Sequence, residues 1–238
     1  MPLRFLTIFL LLFSLWLPPG RSEEHGSAIL SDPNYLSLAR KIRKRVGARV
    51  FTESPRQLCR YQTLLIIGPK QYLAVKDKKC PGQKRFVVNI LYPELFQLKP
   101  ENILVSPLPS AQSLRKYGKR WVIFYSPHLS YYVRHLKQDL KIKGFLLGDY
   151  HDLLQVLPRI PKNWPVLLLP DPVLLNPKVQ DYLKLYFRRQ RIHGLDLLGL
   201  NGLSWPQIRY SEDALLITIL KALSSSRPET IYFCEVFP

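Results

Sequence analysis

The sequence predicts an α/β protein built on mostly parallel sheets, and three observations predict it. Four short apolar runs, "TLLII", "RFVVNILY", "RWVIFY" and "PVLLL", are continuous rather than alternating, as in strands covered on both faces. Each is followed closely by proline, which cannot donate to a ladder and ends the strand (Pro69, Pro93, Pro127 and Pro170). Amphipathic stretches with recognisable caps separate them, and strand alternating with helix implies parallel pairing through crossovers.

Taken in order, Ser31-Asp32-Pro33 opens a helix whose apolar stripe is Leu36, Ala39, Ile42 and Val46. The first run ends at Gly68-Pro69 and the second at Tyr92-Pro93. The proline- and serine-rich stretch from Asn102 to Arg120 reads as the break between two lobes. The third run ends at Ser126-Pro127, and Ser130 precedes a helix with Val133, Leu136 and Leu140 facing inward. Asp149 suits the cap of "HDLLQVL". The fourth run ends at Pro170, after which Asn176-Pro177 opens a helix carrying Val179, Tyr182, Leu183, Tyr186 and Phe187 on one face. Ser211-Glu212-Asp213 begins a last helix, with acids where the helix dipole favours them, and a serine run stops it near Leu223.

The N-terminus carries Arg4, then apolar residues from Phe5 to Leu17, then Pro-Pro-Gly. A bilayer takes about 20 apolar residues, so this shorter run reads as a cleavable signal peptide over 1–22. No cysteine follows it, which excludes a lipoprotein anchor and points to a periplasmic or secreted protein. In an oxidising compartment Cys59 and Cys80 are placed to pair across a short loop, while Cys234 reads as a packed strand thiol.

Lys and Arg number 35 against 17 Asp and Glu, a formal net charge of +18. No zinc-finger spacing or RNA-binding aromatic signature accompanies the bases, so nucleic acid is not the expected partner. They read as solvated faces suited to peripheral contact with an anionic membrane surface. No Gly-x-Ser-x-Gly elbow, HExxH, Walker loop or GxGxxG occurs, and Ser126 with His128 lacks an acid to complete a triad. No enzymatic activity, metal or cofactor is expected. Candidate contacts are Asp171, stiffened between two prolines, Lys70 for an anion, and Tyr92 and Tyr125 for stacking on a flat ligand.

The order of "LLIIGPKQYLAV", "VNILYPE", "ILVSPLPSAQSLRK", "WVIFYSPHLSYYVRHLKQ", "LLLPDPVLLNPKVQDYL" and "LLGLNGL" resembles the ABC-transporter substrate-binding proteins related to the tryptophan- and phenylalanine-binding members. The resemblance implies a type I periplasmic-binding-protein fold, two Rossmann-like lobes closing on a small ligand. The ligand loops it implies are Gly68-Pro69-Lys70, Tyr92-Pro93, Tyr125-Ser126-Pro127, Pro170-Asp171-Pro172 and Asn201-Gly202, with Asp171 holding a ligand's amino group. Only one helix is read ahead of Gly68, so the first lobe is expected to be shortened. The expected organisation is a first lobe over 23–108, a second over 109–200, and a crossover helix and strand over 201–238 returning to the first. The expected function is an exported solute-binding protein that partners a membrane permease or receptor. The alternative is a non-catalytic sensory or protein-interaction module docking on a membrane receptor or transporter.

Overall fold

The structure, a computed structural model, describes residues 26–98, 102–200, 202–206, 208–209, 211–224 and 230–236. The expected signal peptide over 1–22 and Asn201 lie outside the described residues. Among the described residues, eleven strands form two sheets. The first contains β1 (Ser27–Ser31), β2 (Arg49–Phe51), β3 (Thr63–Ile67), β4 (Lys84–Val88), β5 (Ile103–Pro109), β10 (Ile208–Arg209) and β11 (Thr230–Val236), in the order β10-β11-β5-β4-β3-β1-β2. All of its pairings are parallel except β10 on β11. The second contains β6 (Arg120–Tyr125), β7 (Lys141–Leu146), β8 (Val166–Leu168) and β9 (Gly194–Asp196), ordered β7-β6-β8-β9 and wholly parallel. The protein is therefore α/β with two Rossmann-like lobes.

Among the described residues seven α-helices cover the sheets: α1 (Leu36–Val46), α2 (Pro69–Val75), α3 (Ala111–Arg115), α4 (Ser130–Asp139), α5 (Tyr150–Val156), α6 (Pro177–Gln190) and α7 (Glu212–Ser224). None of the described helices is long and apolar enough to cross a membrane. The caps are those the sequence suggests at several ends. Asn176 Oδ1 accepts from the Lys178 N–H, Ser211 Oγ from Ala214, and Asp149 Oδ1 from His151 and Asp152. On α6, Val179, Leu183 and Phe187 are buried, whereas Tyr182 is turned outward and stacks beside Tyr186.

Three expectations need correction. The first lobe holds more ahead of Gly68 than the one helix expected: "SAILS" forms β1 and "RVF" forms β2, so two strands accompany that helix. The stretch beginning at Asn102 is not a linker, because residues 103–109 form β5 between β4 and β11. Pro107 and Pro109 lie past the last β4 pair, Val88 with Val105, and along β11 the register shifts between the Ser106 and Pro109 pairs, so their missing N–H groups fall where the ladder is already irregular. The second apolar run stops as a strand at Val88 rather than Tyr92. Asn89 takes a left-handed conformation (φ 63°) and donates its N–H to the Val105 carbonyl, turning the chain off the sheet.

Helix α7 and β11 return the chain to the first lobe, where Leu215, Ile219 and Ala222 join the core formed by Ile29, Leu65, Phe86 and Val105. Cys59 and Cys80 are joined in a disulfide across a sequence separation of 21. Cys234 lies on β11.

Candidate functional site

Parallel strands with short connections place their carboxyl ends, and the loops leaving them, on one edge of each sheet. Here the two edges face each other across a cavity of about 480 Å3. From the first lobe, Tyr35 follows β1, Pro69 follows β3, Asn89, Leu91, Tyr92 and Phe96 follow β4, and Pro107 and Leu108 belong to β5. From the second, Pro170 follows β8 and Leu197 follows β9. A second cavity, of about 410 Å3, lies between α5 and α6 and is confined to one lobe.

Gly68 shapes the wall behind Pro69. It sits at φ +95°, and a Cβ there would meet the Asp32 Cβ at 3.2 Å and the Tyr35 ring at 3.3 Å. Its missing side chain lets the Tyr35 ring lie against the backbone. Gly68→Ala is expected to lose about 1–3 kcal/mol of stability, read as a lower urea midpoint at unchanged slope.

Asp171 does not face the cavity. It is completely buried, its Oδ2 accepts from the Ser126 N–H at 2.5 Å, and its Oδ1 accepts from the Val173 N–H at 2.9 Å. Its own carbonyl accepts from Leu175. The carboxylate thus ties the loop after β8 to the loop after β6, across the point where strand order in the second sheet reverses. In open α/β sheets that point is a natural crevice, and here a side chain bridges it. The expectation that Asp171 holds a ligand amine is corrected accordingly. Ser126 shares this enclosure: its N–H is taken by Asp171 and its Oγ is buried without a protein partner.

The remaining candidates divide. Pro69 and Tyr92 line the cavity. Tyr125 does not, since its ring covers Gly144 on β7, where a Cβ would come within 2.8 Å of it. Lys70 is exposed and stands outside the lining. Among the described residues no cluster of three His, Cys, Asp or Glu side chains is placed to hold a metal ion.

The loop over residues 89–98 gives the site more than the Tyr92-Pro93 pair expected from the sequence, adding Asn89, Leu91 and Phe96 to the lining. Leu91 and Tyr92 pack on the second lobe's core, while Phe96 and Leu98 pack on the first lobe's. The Tyr92 hydroxyl donates to the Pro170 carbonyl, and its ring lies 6.2 Å from that of His128. Burial, and then the charge of Asp171, push the Tyr92 pKa up to about 12, so the phenol remains a donor across the ordinary pH range. Glu94 extends the clasp to α4, whose first turn has no side-chain cap of its own. The Tyr131 N–H stabilises the Glu94 carboxylate, and Arg134 stands 3.7 Å away. Glu94 Oε2 is nevertheless buried without a hydrogen-bond partner.

Burial outweighs these partners and raises the Glu94 pKa above its ordinary 4.5. A raised folded pKa means that protonation favours the folded form. The stabilisation from this group is complete below pH 4.5 and is lost as pH rises through the folded pKa. Glu94→Gln is expected to remove that slope. The difference in urea midpoint between wild type and variant should then shift in the variant's favour from acid to neutral pH, and a constant difference refutes the assignment.

No protein-family model matches the chain, and no curated protein matches it. Among solved structures it is similar to one described as the ABC domain in complex with L-Trp from Streptococcus pneumonia, at 10% identity, with 88% of this chain and 90% of that chain covered and a TM-score of 0.43.

Proposed function

We propose that this chain is a solute-binding protein, without catalytic activity, that holds a small ligand between its lobes and presents the closed form to a membrane permease or receptor. The observation that supports it is the shared cavity: loops from the carboxyl ends of both sheets line one gap of about 480 Å3. That falls within the roughly 300–1,000 Å3 usual for small-molecule sites. The apolar run from Phe5 to Leu17 supports export to the periplasm or beyond. The sequence resemblance supports an ABC-type uptake system.

The test is a thermal-shift screen of amino acids, indoles, nucleosides, sugars and small anions, followed by calorimetry. A true ligand at 100 times its Kd should add about 2.7 kcal/mol of stability. Failure of every compound to bind would refute the proposal.

A second reading, docking on an anionic membrane surface, is supported by the opposite pole of the second lobe. There Arg120 and Lys141 flank the Trp164 ring at 6.0 and 5.7 Å, and Lys143 donates to the Arg159 carbonyl. Exposed Lys116, Lys119, Lys137 and Lys162 surround them, with Asp139 engaged by Arg115. Under this reading the protein sediments with phosphatidylglycerol vesicles at low salt and is released at high salt, whether or not a ligand is present.

A further inference from the structure

Four strand ends or loops around the cleft carry an acid, and none of the four carboxylates lines the cavity. Behind β1, Asp32 accepts from the Asn34 N–H at 3.0 Å. Behind β4, Glu94 is turned to the start of α4 and Arg134. Behind β8, Asp171 has both oxygens on backbone N–H groups. At the end of β9, Asp196 is buried and accepts from Leu198 at 2.7 Å and Leu200 at 2.5 Å. Among the described residues the cavity lining contains no charged side chain; its surface is aromatic rings, prolines and leucines, with the amide of Asn89. An ammonium group entering this gap would give up its hydration without meeting a carboxylate, and an unpaired charge is the most costly group to desolvate. The net charge of +18 opposes a cation at longer range as well.

We infer that the cleft takes a ligand with a flat, apolar body and no cationic amine, which sets it apart from free amino acids. This rests on the reading of the cleft as a ligand site. The Tyr35, Tyr92 and Phe96 rings supply apolar and stacking surface.

Two pairs of probes that differ only at the amine test this by calorimetry on the whole protein. L-tryptophan is set against indole-3-propionate, and tryptamine against 3-ethylindole; in each second member a hydrogen replaces the ammonium. The amine-free member of each pair should bind at least about tenfold more tightly. In Asn89→Asp, which places a carboxylate at the cleft and keeps a residue type that tolerates the left-handed backbone, tryptamine should gain on 3-ethylindole by about tenfold or more. Equal or tighter binding of the amines to wild type overturns the inference and leaves the cleft reading intact, as does an unchanged preference in Asn89→Asp. If none of the four binds, the compound found in the screen decides: a cationic or zwitterionic one overturns the inference, and one without an amine upholds it. Should nothing bind at all, the cleft reading fails and the inference with it.

Discussion

Replacing Asp171 with alanine is expected to destabilise the protein by about 3–6 kcal/mol, the sum of two hydrogen bonds to a charged acceptor at roughly 1.5–3 kcal/mol each. The magnitude follows from where the acid sits. The side chain is completely buried, and the Ser126 N–H it accepts from is enclosed with it, so water cannot take over the vacated bond. The Val173 N–H lies two residues along the same turn, where the prolines on either side of Asp171 leave the backbone little freedom to find another acceptor. Asp171→Asn should recover part of the loss, because an amide oxygen can keep one of the two bonds while its NH2 group meets the other donor unfavourably. Urea denaturation of Asp171→Ala and Asp171→Asn measures both. The same variants separate the structural role from a ligand role. An acid that held a ligand amine would leave the free protein's stability nearly unchanged on conversion to the amide and remove ligand binding instead. Stability within about 1 kcal/mol of wild type in Asp171→Ala would rule out the bridging role of this carboxylate.

That acid also shows what a sequence can and cannot disclose about this site. "PDP" after an apolar run identifies a rigid carboxylate at a strand tip, but the same three residues serve a ligand contact and an internal cap equally well. The choice depends on whether a backbone N–H 45 residues earlier comes within reach, which is a property of the β6–β8 neighbourhood. Local signals were legible for a corresponding reason. The caps at Asn176, Asp149 and Ser211 act on N–H groups two or three residues away, and the strand-ending prolines act on their own backbone. Strand β1 was missed because five residues beginning and ending in serine carry little apolar periodicity, although Ala28, Ile29 and Leu30 become fully buried once β3 and β2 flank them. The end of β4 was misplaced because Ile90 and Leu91 continue the apolar run after Asn89 has already turned the chain. Glu94 gave no signal at all. It serves a helix in the other lobe that begins 36 residues later, and nothing in "YPELF" marks an acid for that purpose.

Opening the Cys59–Cys80 disulfide is expected to lower stability by about 3 kcal/mol while leaving ligand binding unchanged. The first half follows from the separation of 21 residues, which removes loop-closure entropy from the unfolded chain. The folded geometry does not depend on the bond alone. Gln83 donates to the Leu58 and Tyr61 carbonyls, both at 2.9 Å, and the Leu58 and Tyr61 side chains are buried in the first lobe's core. Native spectra should therefore survive reduction, and the slope of unfolding against urea should rise as the unfolded chain expands. The second half follows from position. Cys59 precedes the amino end of β3 and Cys80 the amino end of β4, whereas the cavity lies at the carboxyl ends of those strands. A Cys59→Ser, Cys80→Ser double variant, compared with the oxidised protein by urea denaturation and by calorimetry with whichever compound the screen yields, reads both quantities at once. Loss of affinity in step with the loss of stability would mean that the two ends of the first sheet are coupled, and that the disulfide supports the cleft as well as the scaffold.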